Sequence, residues 1–374
     1  MKLIRRELLG LFLGLSAGTR AAAEAPAAPP AENERKLEVH GFLSQAFAIS
    51  DGYQVLGIPS EGTFDYRTAA LQLRATLTAK DSIVIQVGQA RLGESPIMAV
   101  RNEIDLDWIF YERQLGAGTS VRVGRIKIPF GIYNEIRFVG PLLPFFRPAD
   151  AFYGEGSYVF SSINGAALSK SLFARHRFSV DADLYAGEWS FVQGDPELQQ
   201  IAGATRARAR GLGGQLWLNT PLDGLRFGVG GDRSTWSNSV EAPPGVKVRH
   251  KRWVASVDGN FERFRLSAEL GEHTSPGVLF ASSYVLVSGH VTDKLSVNLQ
   301  ASRSHVKLDL VLAQLDDEIG RDYAAGLSYA FRPDLVAKVE NHWTRGRNFE
   351  EPGVTIFSPA LSADYVILSL SALF

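Results

Sequence analysis

Two groups of residues in this chain combine charge with a spacing that chemistry could use. The first is one segment, 129–156. It holds three acids, Glu135, Asp150 and Glu155, and two bases, Arg137 and Arg147, among Phe130, Phe138, Phe145, Phe146, Phe152 and Tyr153. A solvated loop has no reason to carry so many large apolar groups, since they present a contiguous apolar patch to water. The segment must therefore pack on something, either inward on the rest of the fold or outward at a rim or subunit contact. Charges held at a narrow place select ions, so these acids and bases, with Phe145 and Phe146, are the candidates for a constriction. The plainer reading is that each charge is solvated or paired locally; for Arg137 and Arg147, set amid apolar residues, pairing with a carboxylate elsewhere serves as well.

The second group is spread along the chain at a period of two. Leu71, Leu73, Ala75 and Leu77 alternate with Gln72, Arg74 and Thr76. Phe178, Val180, Ala182 and Leu184 alternate with Ser179, Asp181 and Asp183. Phe264, Leu266, Ala268 and Leu270 alternate with Arg263, Arg265, Ser267 and Glu269. Leu335, Ala337 and Val339 alternate with Lys338 and Glu340, and Ile104, Leu106, Trp108 and Phe110 with Glu103, Asp105 and Asp107. Period two is the mark of a strand with two unlike faces. A charge on a face turned to hydrocarbon costs ~2–4 kcal/mol at mid-depth, so the polar face must line water. Its bases are Arg74, Arg122, Arg226, Arg263, Arg265 and Lys338; its acids are Asp105, Asp107, Asp181, Asp183, Glu269 and Glu340. The two signs nearly cancel.

Other chemistry is poorly supported. The chain has no cysteine, so neither a disulfide framework nor thiolate chemistry is available. None of the seven histidines sits in a catalytic or zinc-binding motif. The neighbours Ser304 and His305 at a strand end do not make a triad. No catalytic residue, metal or cofactor is expected. The net charge of −1 gives no reason to expect nucleic acid as a partner.

The elements that would position these residues can be marked out. Candidate strands run over 37–49, 66–79, 82–90, 103–115, 119–128, 157–171, 177–187, 206–219, 225–236, 247–259, 262–273, 282–292, 294–305, 320–332, 335–345 and 362–374. Their number is even, and the gaps alternate. Short turns such as Lys80-Asp81, Gly116-Ala117-Gly118 and Pro333-Asp334 alternate with long loops at 50–65, 91–102, 129–156, 188–205, 237–246, 274–281, 306–319 and 346–361. An all-β transmembrane antiparallel barrel has this layout, with short turns on one side and long loops on the other. About sixteen strands leave an aqueous channel in place of a packed core. Residues 37–374 form one domain on this reading.

The two ends agree. Lys2, Arg5 and Arg6 precede the apolar stretch from Leu8 to Ala17 and the A-x-A site at Ala21-Ala22-Ala23, which reads as a cleaved signal peptide over 1–23. The Arg5-Arg6 pair fits an ordinary secretory signal better than a twin-arginine one. Residues 24–36, rich in Ala and Pro, form a disordered lead-in. At the other end Val366, Leu368, Leu370, Ala372 and Phe374 form an apolar stripe. This tail resembles the terminal strand of bacterial outer-membrane proteins. The resemblance implies an outer-membrane location and recognition of the strand by the barrel-assembly machinery.

The resemblance extends to the long loop. In sixteen-stranded general porins the third loop folds into the barrel and sets its acids against a basic wall; 129–156 is the third long loop here. Its entry, Val123-Gly124-Arg125-Ile126-Lys127-Ile128-Pro129-Phe130-Gly131, is similar to the G-R-x-K-x-P-F-G segment of phosphate-selective O/P-type porins. Anion selection in that family uses a dense basic ladder, which the balanced charges here do not supply. Arg125 and Lys127 share parity with Val121 and Val123, so either a bulge lies near Gly124 or they sit beyond the hydrocarbon. Arg206, Arg208 and Arg210 share parity with Leu212, Leu216 and Leu218, and Lys247, Arg249 and Lys251 do so with Trp253, Ala255 and Val257. Without a bulge these bases project outward above the membrane, where lipopolysaccharide phosphates would meet them; with one near Gly211–Gly214 they turn into the pore. The resemblance implies a homotrimeric porin passing small polar solutes or ions by diffusion, not an enzyme. The alternative is a channel selective for anions or oligosaccharides.

Overall fold

The computed structural model describes residues 35–95, 101–154, 162–175, 178–191, 207–237, 242, 245–310, 313–347 and 356–374. The proposed signal peptide, most of the lead-in, Glu155 and Arg206 lie outside them. Sixteen strands occur among the described residues: β1 (Lys36–Asp51), β2 (Thr63–Thr76), β3 (Asp81–Leu92), β4 (Arg101–Gly116), β5 (Thr119–Lys127), β6 (Ser162–Arg175), β7 (Phe178–Phe191) and β8 (Ala207–Asn219), then β9 (Leu225–Ser237), β10 (Val248–Asn260), β11 (Phe264–Ser275), β12 (Val278–His290), β13 (Leu295–Leu310), β14 (Ala313–Arg332), β15 (Leu335–Gly346) and β16 (Leu361–Leu373). Each pairs antiparallel with its sequence neighbours, and β1 pairs with β16 to close the barrel. The seam is extended by Gly41 and Phe374, which exchange backbone hydrogen bonds of 2.9 and 3.0 Å. Sequence period alone therefore located all sixteen strands.

Alternation decides which way each residue faces. On β11, Ser267, Glu269 and His273 are buried while Phe264 and Leu270 are exposed; on β16, Tyr365, Ile367, Ser369 and Ser371 are buried while Leu368, Leu370 and Phe374 are exposed. The exposed face is the apolar one. Leu212, Leu216, Val229, Val285, Val287, Leu299 and Leu327 belong to it. Exposed aromatics bound this belt at the short-turn end (Phe178, Phe227, Phe264, Tyr329, Phe331, Phe374) and at the long-loop end (Phe64, Trp253, Tyr323, Trp343). An apolar band between two aromatic girdles is what a bilayer requires of a barrel's outer wall. Water could not tolerate so large an apolar surface.

Three sequence expectations need correction. Residues 274–281, expected to be a long loop, are strand apart from Pro276 and Gly277, with Ser275 paired to Val278. Residues 306–319, expected to be a loop, are mostly strand: Leu308 pairs with Leu315 and Leu310 with Ala313. Val306, Leu308 and Ile319 pack inward with Leu315 and Phe280, so the hairpin has a core of its own that carries it beyond the others. On β4, Trp108 and Phe110 do not share a face with Ile104 and Leu106. Gln86 pairs with Trp108 while Val87 pairs with Leu106, so Asp107 is an extra residue. A bulge of one residue reverses every side chain beyond it. Trp108 and Phe110 are buried inside, and Ile109 and Tyr111 take the outer face.

Candidate functional site

The segment after β5 does not stay outside. Gly131 has φ of +66°, a value that suits glycine, and it turns the chain toward the opposite wall. There Glu269 of β11 accepts hydrogen bonds from the Ile132 amide (2.9 Å), Ser256 Oγ (2.5 Å), the Tyr284 hydroxyl (2.7 Å) and the Tyr153 hydroxyl. The Tyr153 oxygen also accepts from the amides of Ile132 and Tyr133, so one hydroxyl ties the two ends of the loop together. Burial among these rings raises both the Tyr133 and Tyr153 hydroxyls above the usual phenol range. Gln215 Nε2 donates to the Gly131 carbonyl (3.1 Å), and Thr68 Oγ1 to that of Phe138 (3.1 Å).

A short 3-10 turn, Gly140–Leu142, then reaches the closing seam. A Cβ on Gly140 would collide with the hydroxyls of Ser44 on β1 and Ser371 on β16. Lys338 of β15 donates to the carbonyls of Gly140 (2.7 Å) and Phe145 (2.9 Å). Asn298 and Ser328 both donate to the Pro144 carbonyl, at 3.0 and 3.1 Å, and the Phe146 amide donates to Glu340 at 2.9 Å. A single helical turn, Asp150–Tyr153, completes the crossing with Phe152 and Tyr153 buried. Buried backbone polar groups must find partners, and here the wall's polar side chains supply them.

This arrangement reassigns several expected site residues. Glu269, Lys338 and Glu340 face inward but are buried under the loop, which they hold. Phe145 and Phe146 do not line a passage. Each is almost fully buried, Phe145 beside His342 with ring centroids 5.6 Å apart and Phe146 beside Tyr66 at 5.2 Å. Arg137 is buried, donates to the Tyr153 carbonyl and lies 5.4 Å from the Phe138 ring centre. Arg147 pairs with Asp150 at 2.8 Å. Arg263 is exposed in the turn before β11, outside the wall, and Asp105 is exposed on β4 beside Gly88.

On the opposite arc, β2 to β9, Arg74, Asp181, Asp183 and Arg226 stay partly accessible, while Glu112, Arg122 and Lys127 are buried. A cavity there is lined by Gln72, Arg74, Val84, Trp108, Phe110, Arg122, Lys127 and, from the loop, Glu135. Glu112 lies between two bases: Arg122 Nε at 2.7 Å and Arg74 Nη2 at 3.4 Å. Lys127 pairs with Asp107 at 2.5 Å, a contact that the β4 bulge makes possible. Gly124 has φ of +139°, yet β5 keeps steady register with β4 and β6 through it, and Ile126 is buried at the same parity as Arg122; Lys127, the last residue of the strand, is buried beside it. Arg122 lies over Phe110 at 5.3 Å and Lys127 over Trp108 at 5.6 Å, so the bases rest on aromatic plates. Further round, Asp258 holds Arg226 at 2.9 Å and Arg265 at 3.6 Å, and Arg226 stacks on Trp217 at 4.1 Å. Asp183 accepts from Ser169 (2.5 Å), and Asp181 from Ser171 (2.7 Å) and Asn219 (2.8 Å).

Glu135 is the loop's contribution to this cavity. It is enclosed by the wall, and loss of water pushes its carboxyl up to about 7, with Arg122 and Lys127 pulling it down and Asp183 adding to the rise. Near neutral pH it carries a fractional charge in a cavity that Arg74, Arg122 and Lys127 also line. Sequence reasoning missed Glu112 and Asp258, which pair with two bases each. Glu112 stands two residues beyond Phe110, whose facing the bulge had hidden. Asp258 alternates with Val257 and carried a readable signal. Outside the barrel, Arg208 and Arg210 are exposed, and β8 pairs with β9 in steady register from Arg210–Thr235 to Gly214–Gly231, so they point away from the lumen. Arg210 pairs with Glu188 at 2.5 Å.

A closed sixteen-strand barrel with an inward loop, an apolar outer belt and a charged inner arc has the fold of the outer-membrane porins. No family model matches the sequence, and no curated protein matches it. Among solved structures, the chain is similar to OmpF of Salmonella typhi, in complex with daunomycin, with a TM-score of 0.62 at 14% identity over 91% of this chain and 98% of that one. It is also similar to the anion-selective porin of Comamonas acidovorans, with a TM-score of 0.55 at 12% identity over 91% and 100%. The trimer form of OmpT from Vibrio cholerae gives 0.56 at 11% identity over 91% and 99%.

Proposed function

We propose that the protein is an outer-membrane porin, a water-filled channel through which small polar solutes and ions diffuse. The observation that carries this reading is the closed sixteen-strand barrel with an apolar outer belt and an inner wall on which Arg74, Asp181, Asp183 and Arg226 stay partly accessible. Opposed charges at a narrowing filter by sign and size without any covalent step, so the reading is a channel and not an enzyme. Export uses the signal peptide over 1–23. The assembly machinery reads the terminal strand that ends at Phe374. A homotrimer is the working assembly, as in the trimer form of the Vibrio protein. Arg206, Arg208 and Arg210, with the outward Arg249 and Lys251, meet lipopolysaccharide phosphates at the long-loop rim.

Planar-bilayer recordings test the central claim. Stepwise conductance in KCl, with a reversal potential in a KCl gradient, is the expected result; absence of conductance from folded protein sinks it. A second reading, a channel selective for anions, draws on the two clusters in which one carboxylate holds two guanidiniums, Arg74–Glu112–Arg122 and Arg226–Asp258–Arg265. Asp181 and Asp183 oppose it. Saturable block of the KCl current by phosphate would favour it.

A further inference from the structure

We infer that the outer wall of β13 to β15 holds a seat for the phosphorylated head of an outer-leaflet lipid; this rests on the outer-membrane reading above and uses none of the arginines named there. Arg303 of β13 is the cross-strand partner of Arg321 on β14, and Arg321 is the partner of Arg345 on β15. All three are exposed, in phase with the outward Tyr323 and Trp343. Directly opposite residues on one face of an antiparallel pair have Cβ atoms about 5 Å apart, and like charges there destabilise the sheet. A row of guanidiniums on adjacent strands therefore calls for negative charge. Glu318 supplies one carboxylate, to Arg321 at 2.9 Å. Among the described residues, Arg303 and Arg345 make no ion pair. The other acids of this wall are engaged or displaced. Asp316, above the row, serves His305 at 2.7 Å and Lys307 at 3.3 Å. Glu272 stands two strands from Arg303 and accepts from the Trp253 indole at 2.9 Å. Asp364 is in register with Trp343, below the row.

The height of the row and a groove beside it say which anion. Tyr323 and Trp343 are cross-strand partners, each two residues nearer the short-turn end than Arg321 and Arg345. Aromatic girdles mark the headgroup level of a bilayer, so the guanidiniums stand where lipid phosphates lie. Arginine binds phosphate through paired charge-assisted hydrogen bonds. On the other side of Arg303 the same outer face carries a groove of about 340 Å³. Ala281 and Ser283 of β12 form its floor, Trp253 and Leu270 one bank and Arg303 the other. Arg303 Nε donates to Ser283 Oγ at 3.4 Å, which leans the guanidinium over the groove's edge. Leu270 belongs to the apolar belt and Trp253 to the girdle, so the groove runs from lipid to headgroup level. An amphiphile suits this place: phosphate on the arginines, the sugar beside it against Trp253, and the first acyl carbons over Leu270. A soluble anion would use the row and leave the groove without an occupant.

The test titrates diphosphoryl lipid A, and the same lipid stripped of phosphate, into detergent-solubilised full-length protein, with native mass spectrometry as the readout. The parent carries Arg210→Gln and Arg249→Gln, which silences the rim bases assigned above. Adding Arg303→Gln and Arg345→Gln removes two exposed ion contacts and should weaken diphosphoryl lipid A roughly threefold to thirtyfold. The stripped lipid should bind both proteins alike, and Arg303→Lys with Arg345→Lys should restore most of the loss. Without lipid, the glutamine variant should melt no lower than its parent, since it relieves a like-charge row. A lower melting temperature would mean that the arginines brace the wall, and overturns the seat. Equal affinity of parent and variant for diphosphoryl lipid A overturns it as well. If inorganic phosphate raises the parent's melting temperature as much as the lipid does, the site is a plain anion site and the lipid assignment falls. KCl conductance should match in the two proteins; a change confined to the variant places the arginines in the conduction path and overturns the seat. A folded parent that conducts nothing sinks the channel reading alone, because the lipid comparison is read without current.

Discussion

The inward charges of this barrel fall into two populations that are alike in sequence and unlike in fate. On β11 and β15, Glu269, Lys338 and Glu340 are nearly sealed from solvent and spend their hydrogen bonds on loop backbone. On the β2 to β9 arc, Arg74, Asp181, Asp183 and Arg226 stay partly accessible; the arginines pair with the wall carboxylates Glu112 and Asp258, and the aspartates accept from neutral donors. Both populations occupy every second position of an amphipathic strand. What separates them is where the third long loop lies. The same lysine or glutamate becomes a tether if the loop covers it and stays partly accessible if it does not.

Four changes would break or sharpen that contrast. Lys338→Met should have the largest effect. It takes the Lys338 donor from the buried Phe145 carbonyl, worth about 1–3 kcal/mol, and leaves the Gly140 carbonyl with only the Leu143 amide. We expect larger, noisier single-channel currents and an earlier heat-induced transition in electrophoretic mobility; a quiet channel of wild-type conductance would show that Lys338 does not tether. Glu112→Gln comes next, because it frees two guanidiniums from their shared carboxylate. Reversal potentials in a KCl gradient should move toward anions, on the order of a threefold change in permeability ratio, with conductance little changed.

Glu135→Gln should be milder and should act through pH. The wild-type channel should gain cation preference as pH rises through about 7, where this carboxyl loses its proton. The variant should lack that titration. The raised value also means that the folded chain holds a proton that the unfolded chain gives up. That contribution to stability is complete below the ordinary glutamate range and is lost as pH rises through about 7, so the variant's melting temperature should depend less on pH over this interval. Smallest of all, the pair Arg210→Gln, Arg249→Gln should leave conductance and melting as they are, since both side chains are exposed outside the barrel. Binding of purified lipopolysaccharide should weaken; a conductance change would place these arginines in the conduction path.

The fold was legible because its signal is repeated. Sixteen amphipathic runs with gaps of alternating length leave little freedom, and Phe374 pairing with Gly41 completes a pattern already present in the hairpins. The site was legible only in part. Asp107 looks like any residue of an alternating strand, and nothing in its neighbours marks it as a bulge; yet it turns Trp108 and Phe110 inward and brings a carboxylate to Lys127. Lys338 and Arg74 are likewise equivalent in one dimension. Which of them the loop covers depends on contacts between residues almost two hundred positions apart, such as Gly140 and Lys338. Alternation carries local facing and says nothing about such distant partners.

The seat of Gly140 joins the two ends of the chain. Its two hydroxyl neighbours belong to the first and last strands, Ser44 and Ser371, so the place it occupies does not exist until the ends of the chain have met. A half-assembled barrel offers the loop only part of its footing. The loop's last foothold is therefore shared by both ends of the chain, so the seam and the loop brace each other like a keystone between two abutments.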